Sequence, residues 1–269
     1  MVDISNHKAP PPLLYKYRAF DRGDAGRDAY ARDRQMIVEH SCWAGSPLDF
    51  NDPFDCLPYI DSRATEVQKR RWAQGYVDKR FPKANRTERK RRANKVLGEL
   101  KSNFAKLTPS DAGHEAWRMA LCKTGVLSFA RCPDDILMWG YYADSHHGYC
   151  LEFATDRPPL INALEVTYDV ERPVFRPFGS RDIDEIMIST LLQKAKGWEH
   201  ESEYRLIRPG EVGVMKMAGD ALNSIILGAA IKKEDEDALR RMAKERANPV
   251  KFKRTVLDRK AYCLSVIDA

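Results

Sequence analysis

The sequence predicts an α+β fold in which many short strands form a mixed sheet and a basic helical segment is inserted between strands. Residues 13–20, 125–130 and 148–153 are short apolar or alternating runs bounded by turn-forming residues, a pattern typical of strands. Residues 62–122 instead carry helix-forming residues, few glycines and apolar side chains at helical spacing. We therefore expect one domain over 13–269 that contains this insertion.

The remaining elements follow from the same two periodicities. Residues 46–55 are dense in turn formers but contain two aromatic side chains, which indicates an ordered loop. Residues 1–12 are polar, lack the apolar core of a signal peptide and predict a disordered lead-in. Further strands are predicted at 41–44, 166–168, 198–207, 224–228 and 261–266, and further helices at 116–122, 134–143, 183–196 and 232–247, after a short one that begins within 21–34.

The composition is that of a soluble globular protein, with 43% hydrophobic and 31% charged residues in a chain of 269. No run of about 18 apolar residues occurs, so we expect no membrane span and a cytoplasmic location. The six cysteines include no Cys-x-x-Cys pair and the six histidines no His-x-x-x-His pair. We therefore expect free thiols and no structural metal.

Positive charge is concentrated in residues 63–95, which contain thirteen Lys or Arg and three acidic residues in a chain whose formal net charge is +6. Such a segment supplies the sequence-independent part of nucleic-acid binding. The alternative is a solvated helix face. The candidate phosphate contacts are Arg70, Arg71, Arg89, Lys90, Arg91 and Arg92.

An acidic stretch at 198–207 is the strongest candidate for chemistry. Glu201, Glu203 and Arg205 alternate with Ser202, Tyr204 and Leu206, and side chains two apart on a strand share a face. Two carboxylates and a guanidinium on one face predict a catalytic pair, with Glu203 first, Glu201 second and Arg205 orienting them. The same trio would serve equally well as an ion network inside the fold.

Familiar enzyme templates are absent, because the chain has no Walker loop, dinucleotide glycine fingerprint, Gly-x-Ser-x-Gly elbow or zincin helix. Polar and aromatic residues spread along the chain form the remaining candidate set. Besides the acidic stretch, that set comprises Tyr17, Arg18, Asn51, Ser128, Trp139, Tyr142 and His147.

The order of these motifs resembles the bacterial family catalogued as domain of unknown function 2971. The resemblance spans about 13–230, the basic segment departs from it, and the family name implies no activity. The matching motifs are Tyr15-Lys16-Tyr17-Arg18, Phe50-Asn51-Asp52-Pro53-Phe54-Asp55, Ser128-Phe129, Leu137-Met138-Trp139-Gly140-Tyr141-Tyr142-Ala143, His147-Gly148-Tyr149-Cys150-Leu151-Glu152-Phe153 and Trp198-x-x-Glu201-x-Glu203-Tyr204-Arg205.

A more distant resemblance is to the ADP-ribosyltransferase fold, most of all to toxins that modify DNA bases. It implies a sheet core of that type and an enzyme that cleaves NAD and modifies a nucleic acid or protein, in a toxin or phage-defence setting. Arg18 would hold the NAD phosphate or ribose, Tyr142 or Trp139 would stack on the nicotinamide, and Glu203 or Glu201 would promote its departure. The resemblance also assigns Tyr17, Asn51, Ser128 and His147 to the NAD site.

Two other functions remain open at this point. The chain would be a non-enzymatic nucleic-acid-binding or interaction protein if the basic segment were its functional surface and the acidic strand were structural. It would be a metal-dependent nuclease or hydrolase if Asp52, Asp55, Glu201 and Glu203 supplied oxygen ligands.

Overall fold

A computed structural model describes residues 8–24, 27–104, 109–179 and 183–269. Most of the predicted lead-in, residues 1–7, lies outside this part of the chain, as do residues 105–108 of the predicted helical segment over 62–122. The strands are β1 (Leu13–Arg18), β2 (Ser41–Ala44), β3 (Tyr59–Ile60), β4 (Gly125–Ala130), β5 (Tyr149–Ala154), β6 (Leu164–Glu165), β7 (Thr167–Asp169), β8 (Val174–Phe175), β9 (Gln193–Ala195), β10 (Glu203–Arg208), β11 (Gly213–Lys216), β12 (Leu222–Leu227), β13 (Lys251–Leu257) and β14 (Leu264–Asp268).

An eight-stranded sheet organises the molecule in the order β14-β13-β12-β5-β1-β4-β10-β6. Its neighbours are antiparallel except β12 and β13, which are parallel. This architecture confirms the predicted α+β fold with a mixed sheet. The helices are α1 (Ala31–Ile37), α2 (Glu66–Arg80), α3 (Arg86–Phe104), α4 (Pro109–Leu121), α5 (Ile136–Tyr142), α6 (Ile183–Leu191) and α7 (Lys233–Lys244), with 3-10 turns at Pro47–Asp49, Leu160–Asn162 and Lys196–Glu201.

Helices cover both faces of the sheet because successive strand residues point to opposite sides. On one face α1 and α7 pack against Leu14, Leu151 and Ile225. On the other face α5 packs its Trp139 against Tyr17 and neighbouring strand residues. In the described part of the chain no helix is both long and apolar enough to cross a membrane.

The sheet opens between β1 and β4. Each strand is paired over six residues on its outer edge, β1 with β5 and β4 with β10, but within these strands the β1–β4 register joins Tyr15 to Ala130 alone. The backbone of Val126 pairs instead with Gly45, through hydrogen bonds of 2.8 and 3.1 Å. Alternate residues of an antiparallel strand turn their N–H and C=O groups to the same edge. Ser128, midway between Val126 and Ala130, therefore turns its backbone into the gap.

The basic segment forms a helical hairpin, α2–α3, between β3 and β4. Thr65 and Gln68 form a capping box that begins α2. The two helices pack through a small apolar cluster around Ala73, Val77 and Ala93. In contrast, α4 belongs to the body of the molecule, because its Trp117 and Leu121 are buried against β3, β4 and α6.

Several boundaries differ from the sequence prediction. The acidic strand begins at Glu203, because Ser202 has a left-handed backbone (φ 43°) that ends the 3-10 turn containing Glu201. The predicted helix over 183–196 ends at Leu191 and is followed by β9. The prediction missed β13, in which Lys251, Lys253 and Arg254 interrupt the apolar pattern.

Candidate active site

A cleft of about 690 Å³ lies at the opening between β1 and β4. This volume is in the range of ligand sites for small molecules. Its walls come from both faces of the sheet, so the cleft passes through the gap. The charged, polar and tyrosine side chains that line it include Lys16, Tyr17, Arg18, Arg22, Asn51, Asp55, Ser128, Tyr142, Lys194, Glu201 and Glu203.

Arg205 holds two carboxylates in place at the acidic end of the cleft. It is completely buried and its guanidinium donates to both oxygens of Glu203, at 2.8 Å each. It also donates to both oxygens of Asp55, at 3.0 and 2.7 Å, and to the Leu191 carbonyl at 2.8 Å. All five N–H groups of a guanidinium are then used. Arg205 therefore orients the carboxylates from behind and has no donor left for a ligand.

Lys194 links a third carboxylate, that of Glu201, to the cluster around Arg205. Its ammonium pairs with Glu201 and lies 3.5 Å from Glu203 and 3.6 Å from Asp55. The other oxygen of Glu201 accepts a hydrogen bond of 2.7 Å from the Tyr142 hydroxyl. Glu201 thus reaches the cluster from the 3-10 turn, although it is not on the strand.

The charges in this cluster are unequal. Burial raises the pKa of Glu203, but the ion pair with Arg205 outweighs burial and lowers that pKa to about 2. Burial also lowers the pKa of Lys194, but Glu203 and Glu201 outweigh it and the net pKa is raised, so the ammonium stays charged. The carboxyl groups of Asp55, Glu201 and Glu203 therefore share two cations, Lys194 and Arg205.

Lys16 bridges the gap in the sheet. Its ammonium donates to the Ser128 carbonyl at 3.0 Å and lies 5.5 Å from the centre of the Phe129 ring. Burial and the nearby Arg18 lower the pKa of Lys16 to about 8. The backbone groups of Tyr17 face the same gap, because Tyr17 lies two residues beyond the pairing at Tyr15.

The opposite end of the cleft is lined by arginines that differ in their partners. Arg22 is held by two hydrogen bonds to Asp235, at 2.6 and 2.9 Å. Arg18 is half-buried, and its Nε is buried without a hydrogen-bond acceptor in the described part of the chain. A buried donor without an acceptor is costly, so Arg18 is the guanidinium prepared to bind an anion.

The structure brings together most of the predicted catalytic and NAD-site residues. Three of the predicted residues are not on the cleft wall: Arg205 lies behind it, Trp139 is completely buried, and His147 lies on a turn. Trp139 donates to the Pro133 carbonyl at 2.8 Å and its ring packs on Tyr17, so it is a core residue and not a stacking platform. The predicted residues that do line the cleft are Tyr17, Arg18, Asn51, Ser128, Tyr142, Glu201 and Glu203.

The predicted phosphate contacts divide into two sets. Arg70, Arg71 and Lys90 are exposed on the α2–α3 hairpin. The other three are held by neighbouring acids of the hairpin: Arg89 pairs with Asp78, while Arg91 and Arg92 both pair with Glu88. The hairpin therefore presents less free positive charge than its composition suggests.

The carboxylates do not form the oxygen cage that a metal site requires. Asp55, Glu201 and Glu203 are already paired with Lys194 and Arg205. Asp52 lies outside this group and accepts the Phe54 N–H at 2.9 Å. Within the ranges that the structure describes, no set of three or more His, Cys, Asp or Glu side chains is arranged to hold a metal ion.

Sequence reasoning missed Lys194 as a site residue. The sequence predicts Lys194 near the end of a helix over 183–196 and gives it no role in the site. The structure instead places it on β9, paired in parallel with β7, beneath the Trp198 ring at 5.0 Å. Lys16 and Asp55 carried a weak signal, since both lie within motifs of the first family resemblance.

No family model, no curated protein and no solved structure matches this chain. Both family resemblances therefore stay predictions from motifs.

Proposed function

We propose that this protein is an enzyme of ADP-ribosyltransferase type that cleaves NAD and transfers the ADP-ribose to a nucleic acid or protein. The observation that carries the proposal is that Arg18, Tyr142 and Glu203 all line one cleft, although they come from widely separated parts of the chain. Convergence of a cation, an aromatic ring and a carboxylate is what NAD cleavage needs.

The acidic end of the cleft suits the bond that would break. Cleaving the bond between nicotinamide and ribose passes through an oxocarbenium-like state with positive charge on the ribose. Glu203 is ionised at any physiological pH and fixed by Arg205, so it stabilises that charge without having to move. With such a low pKa it is a poor base, and its role is electrostatic.

Glu201 is the group suited to proton transfer. Nicotinamide leaves with the electron pair of the broken bond, and an O–H or N–H group of the target attacks the ribose carbon. The proton that the target loses then goes to Glu201, whose oxygens are held by Tyr142 and Lys194. Glu203 therefore stabilises the developing charge, and Glu201 accepts the proton.

Other groups in the cleft complement the carboxamide, the phosphates and a flat ring of NAD. The nicotinamide carboxamide has one acceptor and two donors, which complement the backbone groups of Ser128 and Tyr17 that face the gap. The free Nε–H of Arg18 would donate a hydrogen bond to a phosphate oxygen. Tyr142 is half-buried and its ring borders the cleft, where it would pack against a flat ligand ring.

A nucleic acid is the target that the α2–α3 hairpin favours. Arg70, Arg71 and Lys90 remain exposed and would contact phosphates. The same surface supports the second candidate function, a nucleic-acid-binding protein without catalysis. NAD consumption separates the two.

The test is nicotinamide release from NAD, followed by chromatography. Wild-type protein is expected to release nicotinamide, and E203Q to reduce the rate by about a hundredfold to a thousandfold. E199Q is the matched control, because Glu199 is exposed on the same turn and pairs with the exposed Lys196 at 2.7 Å. Equal rates for wild type and E203Q would overturn the assignment, and no release by any form would favour the second candidate.

A further inference from the structure

We propose that Asp33 and Tyr149 act as a buried pair that positions Arg18 for binding the phosphates of the substrate. This inference rests on the proposed function and adds two positioning residues to it. Neither Asp33 nor Tyr149 lines the cleft, so neither touches the substrate.

Tyr149 lies directly opposite Arg18 in the register between β5 and β1. The close approach of the strands depends on Gly148, where an added Cβ would lie 2.1 Å from the Arg18 carbonyl oxygen. The Tyr149 hydroxyl donates to Asp33 at 2.6 Å, and the second oxygen of Asp33 accepts the Asp21 N–H at 2.9 Å. Asp33 lies on α1, and both oxygens of its carboxylate are thus held by hydrogen bonds.

Arg18 is the cation that acts on this pair. Asp33 and Tyr149 are both completely buried. Burial raises the pKa of Asp33, and Tyr149, the Asp21 N–H and Arg18 act in the opposite direction. Burial and the Asp33 charge raise the pKa of Tyr149, and the adjacent Arg18 guanidinium again lowers it. The positive charge of Arg18 therefore favours the ionised form of the buried Asp33 carboxylate.

The arrangement orients Arg18 without using all of its donors. Tyr149 donates its proton to Asp33 and lies opposite Arg18 across the strand pair, while the Nε of Arg18 has no acceptor in the described part of the chain. Arg22 is different, because Asp235 takes two of its donors directly. An arginine held in one rotamer before binding loses less conformational entropy when an anion arrives.

The test is the affinity for ADP-ribose, which carries the two phosphates but cannot be cleaved at nicotinamide. Y149F keeps the ring and removes one hydroxyl, and binding measured by calorimetry is expected to weaken about tenfold. D33N is the second variant and should weaken binding in the same direction. T255V is the control and should leave the affinity unchanged, because it removes a buried hydroxyl that donates to the Leu227 carbonyl at 3.1 Å away from the cleft lining.

The double variant R18Q/Y149F isolates the positioning role. If Tyr149 acts through Arg18, its removal costs no further affinity once Arg18 is gone. A loss of affinity that persists in the R18Q background would overturn the inference, as would a folded Y149F that binds ADP-ribose like the wild type. Failure of the wild-type protein to bind ADP-ribose at all would instead overturn the proposed function, and the inference with it.

Discussion

The acidic end of the cleft and the α2–α3 hairpin are both dense in charge, but they hold it in opposite ways. In the cleft, Arg205 is completely buried and each of its donors is used. On the hairpin, Arg70, Arg71 and Lys90 are exposed, and the acids that pair with other hairpin residues are themselves largely solvated. Buried charges are tied to folding, whereas solvated ones are free to serve a partner.

The largest effect on stability should follow removal of the buried Arg205 guanidinium. R205M leaves Asp55 and Glu203 buried without their main partner, so we expect it to lower the free energy of unfolding by about 3–5 kcal/mol. R208M is the control on the same strand, because Arg208 is half-buried and its partner Glu211 is exposed. Urea denaturation measures both, and equal effects would contradict the contrast drawn between buried and exposed charge.

The next largest effect is a pH dependence of stability. The folded state lowers the pKa of Glu203 from 4.5 to about 2. A lowered carboxyl pKa contributes stability that is complete above the unfolded pKa and is lost as pH falls through the folded one. We expect wild-type protein to lose about 3 kcal/mol between pH 5 and pH 2 that E203Q does not lose. Parallel curves for the two proteins would show that Glu203 is not held ionised by its partners.

The smallest stability effect belongs to the hairpin. We expect the triple variant R70Q/R71Q/K90Q to change the free energy of unfolding by no more than about 0.5 kcal/mol. If the hairpin binds duplex DNA, the same variant should reduce the slope of log affinity against log salt by about 3.

The matched control for the hairpin is R89Q/R91Q/R92Q, which removes the same amount of charge. Its arginines are held by Asp78 and Glu88, so it should reduce the salt slope less and lower stability slightly more. Electrophoretic shifts at several salt concentrations measure the slope. Identical slopes for the two triples would mean that local pairing does not decide which charges reach a partner.

The sequence was informative where a local pattern sets the structure. Alternation placed Glu203 and Arg205 on one face of a strand, and short apolar runs located β1, β4 and β5. Local patterns failed where contacts between distant parts of the chain decide the position of a residue. Lys194 joins the site because β9 pairs with β7 and because Asp55 lies 3.6 Å from its ammonium, and Trp139 is in the core because it packs on Tyr17.

The boundary of the acidic strand shows the same limit on a smaller scale. Alternation predicts that Glu201 shares the strand with Glu203, but the left-handed Ser202 moves Glu201 onto a 3-10 turn. Glu201 still reaches the cluster, because Lys194 and Tyr142 hold its two oxygens there. A pattern can therefore identify the right residues while giving the wrong backbone.

The dissociation constant of NAD for E203Q, measured by calorimetry beside that of R18Q, tests the central claim most directly. Arg18 is expected to serve binding and Glu203 to serve the chemistry. R18Q should therefore weaken NAD binding about tenfold or more, while E203Q should bind NAD like the wild type and release nicotinamide about a hundredfold to a thousandfold more slowly. Loss of binding in E203Q with unchanged binding in R18Q would contradict this division of roles.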